Sequence, residues 1–215
     1  MKLKDIKTLI TSGTILLAVG LYLVFNEPKE EATTTLTPAT EANLSTYEAK
    51  DYVITTEYAM DKTGKELIDV KYLSSNDGDT FSVEMDGQKE RVRLLMIDTP
   101  EMNYGKGEPM PYADEAKSLA TRLLEQADAV QLLFDKGPET DKYDRLLAYV
   151  FVDGVSLHEI LLSEGLAAVR YVNKPNDTLE KELLDIQKTA EIEKVNIWAH
   201  PNYLQRDGFH PEEVK

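Results

Sequence analysis

Three aspartates and one arginine are spaced so that a single β-hairpin would gather them. Asp77, Gly78, Asp79 and Thr80 precede an alternating segment that ends at Asp86 and Gly87, a two-residue hairpin signal. The return run 88–97 leads straight into Asp98, Thr99, Pro100 and Glu101. Reflection about Asp86 and Gly87 sets Arg93 opposite Thr80, and Asp98 opposite Ser75, two residues from Asp77. At about 3.4 Å per residue, Asp77, Asp79 and Asp98 then share one end of one ribbon. Three carboxylates so placed repel one another, so a cation, an arginine or raised pKa values must relieve them. Oxygen ligands without His or Cys point to Ca²⁺. Glu101 follows closely, on a loop where Pro100 keeps Thr99 extended. Each segment alone has an ordinary reading: Asp-Gly-Asp-Thr is a common turn, Asp-Thr-Pro-Glu caps helices, and Arg93 within the apolar run 92–97 makes a salt bridge. Their convergence in one hairpin favours a site.

The elements that must position these groups are legible as periodicities. Strands are expected over 67–73, 80–85, 88–97, 130–134 and 146–152. Helices are expected over 114–127, from Ser156 to Gly165 with Glu159 completing a capping box, and over about 178–195 with Asp177 and Glu180 as its cap. Five strands with three helices among them and no internal repeat predict an α+β fold, a small barrel with helices against it. Trp198 is expected to pack the last helix on the barrel, and the tail beyond it reads as polar.

Composition narrows the rest. With 215 residues the chain suits one domain with appendages. Hydrophobic residues at 42% and charged residues at 29% exclude collagen-like, wholly disordered and polytopic membrane classes. The net charge of -15, from 24 Lys+Arg against 39 Asp+Glu, argues against nonspecific coating of nucleic acid while leaving room for a local basic site. Residues 1–50 hold 5 Lys and 6 Asp+Glu, so the acidity resides in 51–215. Cysteine is absent, which removes disulfides, thiolate nucleophiles and Cys-based zinc sites. His158, His200 and His210 lack a ligand constellation.

Lys2, Lys4 and Lys7 precede an apolar stretch over 9–25, after which the chain turns acidic. Residues 1–26 are therefore expected to be a membrane anchor with the bulk outside, or a signal peptide cleaved near Ala18 and Gly20. The Thr-, Glu- and Pro-rich residues 27–50 read as a flexible stalk, 51–200 as the globular domain and 201–215 as a tail.

The segments NDGDTFSVEMDGQKERVRLLMIDTPE, FDKGPETDKYDRLLAYVFVDG, EGLAAVRYVNKPND and EKVNIWA, in this order and spacing, resemble the staphylococcal nuclease (thermonuclease, micrococcal nuclease) family over about residues 69–199. The resemblance implies a five-stranded OB-fold barrel with three helices, and Ca²⁺-dependent hydrolysis of DNA and RNA that leaves 3′-phosphate ends. Carried across residue by residue, it implies that Asp79, Asp98 and the Thr99 carbonyl ligate calcium, with Asp77 in an outer position. Glu101 matches the position assigned as general base, and Arg93 and Arg145 the two phosphate-binding arginines. Lys142 and Tyr143 match contacts to a terminal phosphate, and Tyr171 a residue flanking the base. The chain departs from the family pattern at Asn173, where a second tyrosine is frequent, and at Asp144 and Leu146, which replace glycines. Lys174 and Pro175 match a turn where a cis peptide occurs.

The expected function is thus an extracellular, calcium-dependent nuclease, monomeric, tethered to the membrane if the N-terminal segment persists. Two other classes stay open: a noncatalytic OB-fold module that binds nucleic acid or protein, and a surface protein displayed on the stalk. The first lacks these acids and arginines in relatives that have lost activity, and the second leaves them unexplained.

Overall fold

The alternating runs become strands and the 3.6-period runs become helices, with two departures that matter for the site. The computed structural model describes residues 47, 51–103 and 107–214. In chain order the elements are α1 (Thr56–Thr63), β1 (Ile68–Ser75), β2 (Thr80–Met85), β3 (Gln88–Leu94), β4 (Ile97–Asp98), α2 (Ala113–Gln126), β5 (Val130–Phe134), β6 (Leu146–Val152), β7 (Val155–Ser156), α3 (Leu157–Ser163), β8 (Ala168–Val169), α4 (Glu180–Glu193), β9 (Leu204–Gln205) and β10 (Gly208–Phe209). The expected membrane span, and the stalk apart from Tyr47, lie outside the described residues. Among the described residues no helix is long and apolar enough to cross a membrane.

Strands β3, β2, β1, β5 and β6 pair antiparallel in that order, and a parallel pairing of β3 with β6 closes them into a barrel. Closure leaves no free edge among the five. Phe81, Val83, Val92, Leu94, Leu132 and Val150 are all buried inside. Helix α2 covers the barrel with the stripe Ala116, Leu119, Ala120 and Leu123, all buried. Four helices are present among the described residues rather than the three expected. The extra one, α1, has only Ala59 and Thr63 buried, too little apolar period to announce itself. Its cap is nevertheless local and legible: the Thr55 side chain accepts from Tyr58 N, and Gly64 ends it at φ 70°.

Two expected caps are built differently. Ser156 does accept from Glu159 N at 3.3 Å. The Glu159 carboxylate, however, turns away to accept from Val53 N at 2.9 Å and Ile54 N at 2.8 Å, which pins the N-terminal segment to α3. Helix α4 starts after Leu179 with no side-chain cap, so Asp177 does not cap it. Tyr47, read from sequence as stalk, is only 1% exposed and belongs to the main core.

The larger departure lies at the end of the hairpin. Pairs Thr80↔Arg93 to Met85↔Gln88 follow the predicted reflection. Beyond Leu94 the chain leaves β2: Leu95 and Met96 turn, with Met96 at φ 57°, and β4 pairs with β8 instead. Asp98 therefore lies opposite Ala168 and not opposite Ser75. The Lys174-Pro175 peptide is cis.

His158 is fully buried on α3, its ring 5.5 Å from that of Tyr149. Burial pushes its pKa down from 6.5 to about 3. An unfolded histidine binds a proton near pH 6.5 while the folded one stays neutral, so acidification between pH 6.5 and about 3 favours unfolding by up to ~1.4 kcal/mol per pH unit. His158→Gln should flatten the acid limb of stability over that interval in urea titrations at several pH values. An unchanged slope would remove His158 as its source.

Candidate active site

The acids meet because two glycine-dependent and turn-dependent features bring separate segments together. Gly78 is required by close approach: a Cβ there would meet Ala116 Cβ at 2.8 Å and Thr99 Cγ2 at 3.0 Å. Its smallness lets the Asp77 to Asp79 loop press on α2, and Asp79 then reaches the 98–101 segment. Asp79 Oδ1 accepts from Thr80 Oγ1 and Oδ2 from Thr99 N, each at 2.9 Å. Asp79 and Asp98 are 5% and 7% exposed, uncommon for lone carboxylates and a sign of a paired, functional arrangement.

Arg93, at the end of β3, holds both. Its Nη2 lies 3.2 Å from Asp79 Oδ2 and 3.0 Å from Asp98 Oδ1, while Nη1 donates to the carbonyls of Leu94 and Ile97. Two carboxylate oxygens thus converge on one cationic atom. Burial, then repulsion from Asp79, raises the Asp98 pKa to about 6 against the opposing pull of Arg93 and Arg170. Asp77 stands farther out, accepting from Met102 N at 3.3 Å, and is raised mainly by burial.

Glu101 opens onto the same groove. Its backbone is tied to Met110, whose N donates to Glu101 O at 2.9 Å. Partial burial and then the charges of Asp79, Asp77 and Asp98 raise its carboxyl to about 7. A carboxyl poised near neutrality suits proton transfer.

Arg145 comes from a different part of the barrel. Asp141 accepts from the backbone N of Tyr143 and Arg145 with Oδ1, and from the Arg145 guanidinium at 2.8 and 2.7 Å with Oδ2. Burial alone would raise Asp141, but these bonds outweigh it and hold its pKa low. Asp144 supplies the turn at φ 57°, a conformation aspartate tolerates better than most residues. The glycine seen at this point in the family pattern is therefore replaced without a change of hand.

Arg93, Asp98, Glu101, Lys142, Tyr143, Arg145, Tyr171 and Asn173 all line one groove. Tyr143 and Tyr171 are 57% and 62% exposed, so neither is a core residue. Lys142 Nζ sits 4.9 Å above the Tyr143 ring, and Asn173 Nδ2 donates to Tyr171 O. Of the site residues singled out from sequence, Asp77, Asp79 and Thr99 do not line the groove; Asp79 is joined to it through Arg93, and Thr99 N donates to Asp79. One was missed. Arg170 Nε lies 3.5 Å from Asp98 Oδ2, with the guanidinium 5.2 Å from the Tyr171 ring. Its signal was the one that drew attention to Arg93, a lone arginine in an apolar run, here 166–172.

The donor set suits calcium in kind. Among the described residues no group of three or more His, Cys, Asp or Glu side chains is arranged to hold a metal. A hard cation here would rest on two carboxylates and the Thr99 carbonyl, with water completing the six to eight oxygens calcium takes. The buried Thr99 Oγ1 has no hydrogen-bond partner, and Asp98 and Glu101 are raised by burial first and by neighbouring carboxylates second, a setting in which an added cation would be favoured.

Comparison with known proteins supplies the family. The family model described as staphylococcal nuclease homologue matches residues 91–200. This protein belongs to the staphylococcal nuclease family. Membership describes an enzyme, a hydrolase of the nuclease type. The chain is 43% identical over 146 residues to the SPbeta prophage-derived endonuclease YokF of Bacillus subtilis, covering 68% of this chain and 49% of that one. It thus spans about half of YokF. It is 41% identical over 149 residues to endonuclease YncB of the same organism, covering 69% and 70% respectively. A thermonuclease from Staphylococcus intermedius is 38% identical over 122 residues, covering 57% and 71%. The staphylococcal nuclease match contains Arg93, Asp98, Glu101 and Arg145, and stops before residues 201–214.

Proposed function

We propose that this protein is a calcium-dependent nuclease that hydrolyses phosphodiester bonds of DNA and RNA and leaves 3′-phosphate ends. The observation that carries the reading is the convergence of Asp79 and Asp98 on one cationic atom in the wall of a groove that also presents Glu101 and Arg145.

Asp79, Asp98 and the Thr99 carbonyl would hold the ion. Bound calcium would supply Lewis-acid stabilisation of charge on the phosphoryl oxygens. Glu101, which opens onto the groove beside Asp98, takes the proton from the attacking water. Arg145 and Arg93 would supply N–H donors to a phosphate, Arg93 once Asp79 and Asp98 are engaged by calcium and Arg145 from the edge that Asp141 does not hold. As negative charge grows on the equatorial oxygens, these donors gain more than they do with the ground-state diester. Lys142 and Tyr143 contact an adjacent phosphate, while the exposed Tyr171 ring stacks on a base without reading its sequence. Contacts to phosphate and to base faces do not depend on the sugar, which is the ground for proposing both DNA and RNA as substrates.

The protein works outside the cell as a monomer, tethered through the apolar stretch 9–25 or released by cleavage. Support for that address is the order of charges alone, three lysines before the stretch and acids after it.

Calcium-dependent cleavage of single-stranded DNA, abolished by chelator and restored by added calcium, is the expected result. Folded protein that cleaves equally in chelator would reject the calcium reading, and folded protein inert with calcium would reject the nuclease. Asp79→Ala should weaken calcium binding more than about tenfold in calorimetric titration. Unchanged affinity would take Asp79 off the ligand set.

A further inference from the structure

The C-terminal residues 201–214 lie beyond the family match and do not line the groove, yet they pack against the segments that carry its acids. Strands β9 and β10 pair as a two-residue ribbon. Tyr203 is 0% exposed and Phe209 9%, and they pack with Met110, Ala113 and Ala168 in a cluster separate from the barrel core. Ala168 is the cross-strand partner of Asp98. Met110 is the residue that hydrogen-bonds back to Glu101. The tail therefore packs directly behind both acids.

Two polar contacts tighten this packing. Tyr203 Oη donates to the Pro111 carbonyl at 2.5 Å, next to Met110. Arg170 Nη1 donates to Gln205 O at 3.4 Å while its Nε stands 3.5 Å from Asp98 Oδ2. A third contact, Tyr112 Oη with His200 Nε2 at 2.8 Å, anchors the start of the tail to the start of α2.

We propose that residues 200–214 form a clasp that positions Glu101 and Asp98 for the reaction, acting through Tyr203 on Pro111 and Met110 and through Arg170 on Asp98. Tyr203 and Arg170 are positioning residues; they act through other groups. The mechanism is geometric. A carboxylate displaced by about 1 Å from its working position loses up to about a hundredfold in rate, so a buried ring and a forked guanidinium behind the acids control turnover without touching the diester. The proposal rests on the nuclease reading above.

The full-length protein tests it, with kcat and KM measured on a single-stranded oligonucleotide in saturating calcium. Tyr203→Phe keeps the buried ring and loses the bond to Pro111; Arg170→Gln loses the link between Asp98 and Gln205. Each should lower kcat, by about threefold and about tenfold respectively, with KM within about twofold of the parent. Arg170→Lys should recover part of the Arg170→Gln loss. In a Glu101→Gln background Tyr203→Phe should have no further effect, because the group it positions is gone, whereas a folding defect would lower both backgrounds equally. An active parent with both variants within twofold in kcat overturns the clasp. So does a rise in KM alone, which would make Arg170 a substrate contact, or full multiplicativity of Tyr203→Phe with Glu101→Gln. A parent inert with calcium overturns the nuclease reading and the clasp with it.

Discussion

Arg145→Ala should lower kcat by about 10³-fold or more while calcium affinity stays within about twofold, since an arginine on transferring phosphoryl charge is worth roughly 10³ to 10⁵. Guanidinium is not a calcium ligand, and Arg145 makes its ion pair with Asp141 rather than with Asp79 or Asp98. The turn should survive the substitution, because Asp141 Oδ1 still accepts from the backbone N of Tyr143 and of residue 145. Arg145→Lys should recover little: it restores the charge without the fork. Steady-state kinetics beside calorimetric calcium titration check this. A large loss of calcium affinity would contradict the assignment, and a kcat within tenfold of the parent would remove Arg145 from the chemistry.

Glu101→Gln should separate activity from stability, with the two moving in opposite directions. Loss of a positioned general base costs about 10² to 10⁴ in kcat. The same substitution should stabilise the protein in chelator at pH 8. Folding raises the Glu101 pKa from 4.5 to about 7, so the native state resists losing that proton, and its stability falls as pH rises across that interval. The amide has no proton to lose and adds no charge beside Asp77, Asp79 and Asp98. The gain should therefore be present at pH 8 and fade toward pH 4.5, where the parent carboxyl is protonated in both states. Thermal melts in chelator at several pH values, beside kinetics in calcium, check both halves. A variant that is both fully active and no more stable would show that Glu101 neither accepts the proton nor crowds its neighbours.

What could be read before folding, and what could not, divides along the distance over which the physics acts. The Asp-Gly turn at Asp86 and Gly87 sets its own register, since a two-residue loop leaves the flanking strands one way to pair, and Thr80↔Arg93 follows. The strands Val130–Phe134 and Leu146–Val152 are announced by their own side chains. By contrast, the departure of β4 toward β8 is not encoded in the run 92–97, which stays apolar apart from Arg93. A left-handed Met96 turns it, and only the presence of β8 makes that turn favourable. Reflection of the hairpin thus predicted the gathering of Asp79 and Asp98 but misplaced Asp98 within it. Gly78 read as a turn glycine, whereas its necessity comes from Ala116 and Thr99 pressing on it. Trp198 was expected to join α4 to the barrel and instead packs in the C-terminal cluster.

The sequence alone determined which groups exist for chemistry: hard oxygen donors, forked cations and exposed rings, with no thiol to compete. Their residue types and local turns depend on neighbours a few positions away, and short-range sterics suffice to specify them. Only the tertiary structure decided that Arg93 neutralises two carboxylates at once, that Arg170 joins them, and that Tyr203 and Phe209 from a polar-looking tail are buried behind Asp98 and Glu101. Burial and the charge crowding that raises Glu101 to about 7 depend on every surface packed around a group. No local pattern carries that information, because the segments that create it are brought together only when the barrel closes.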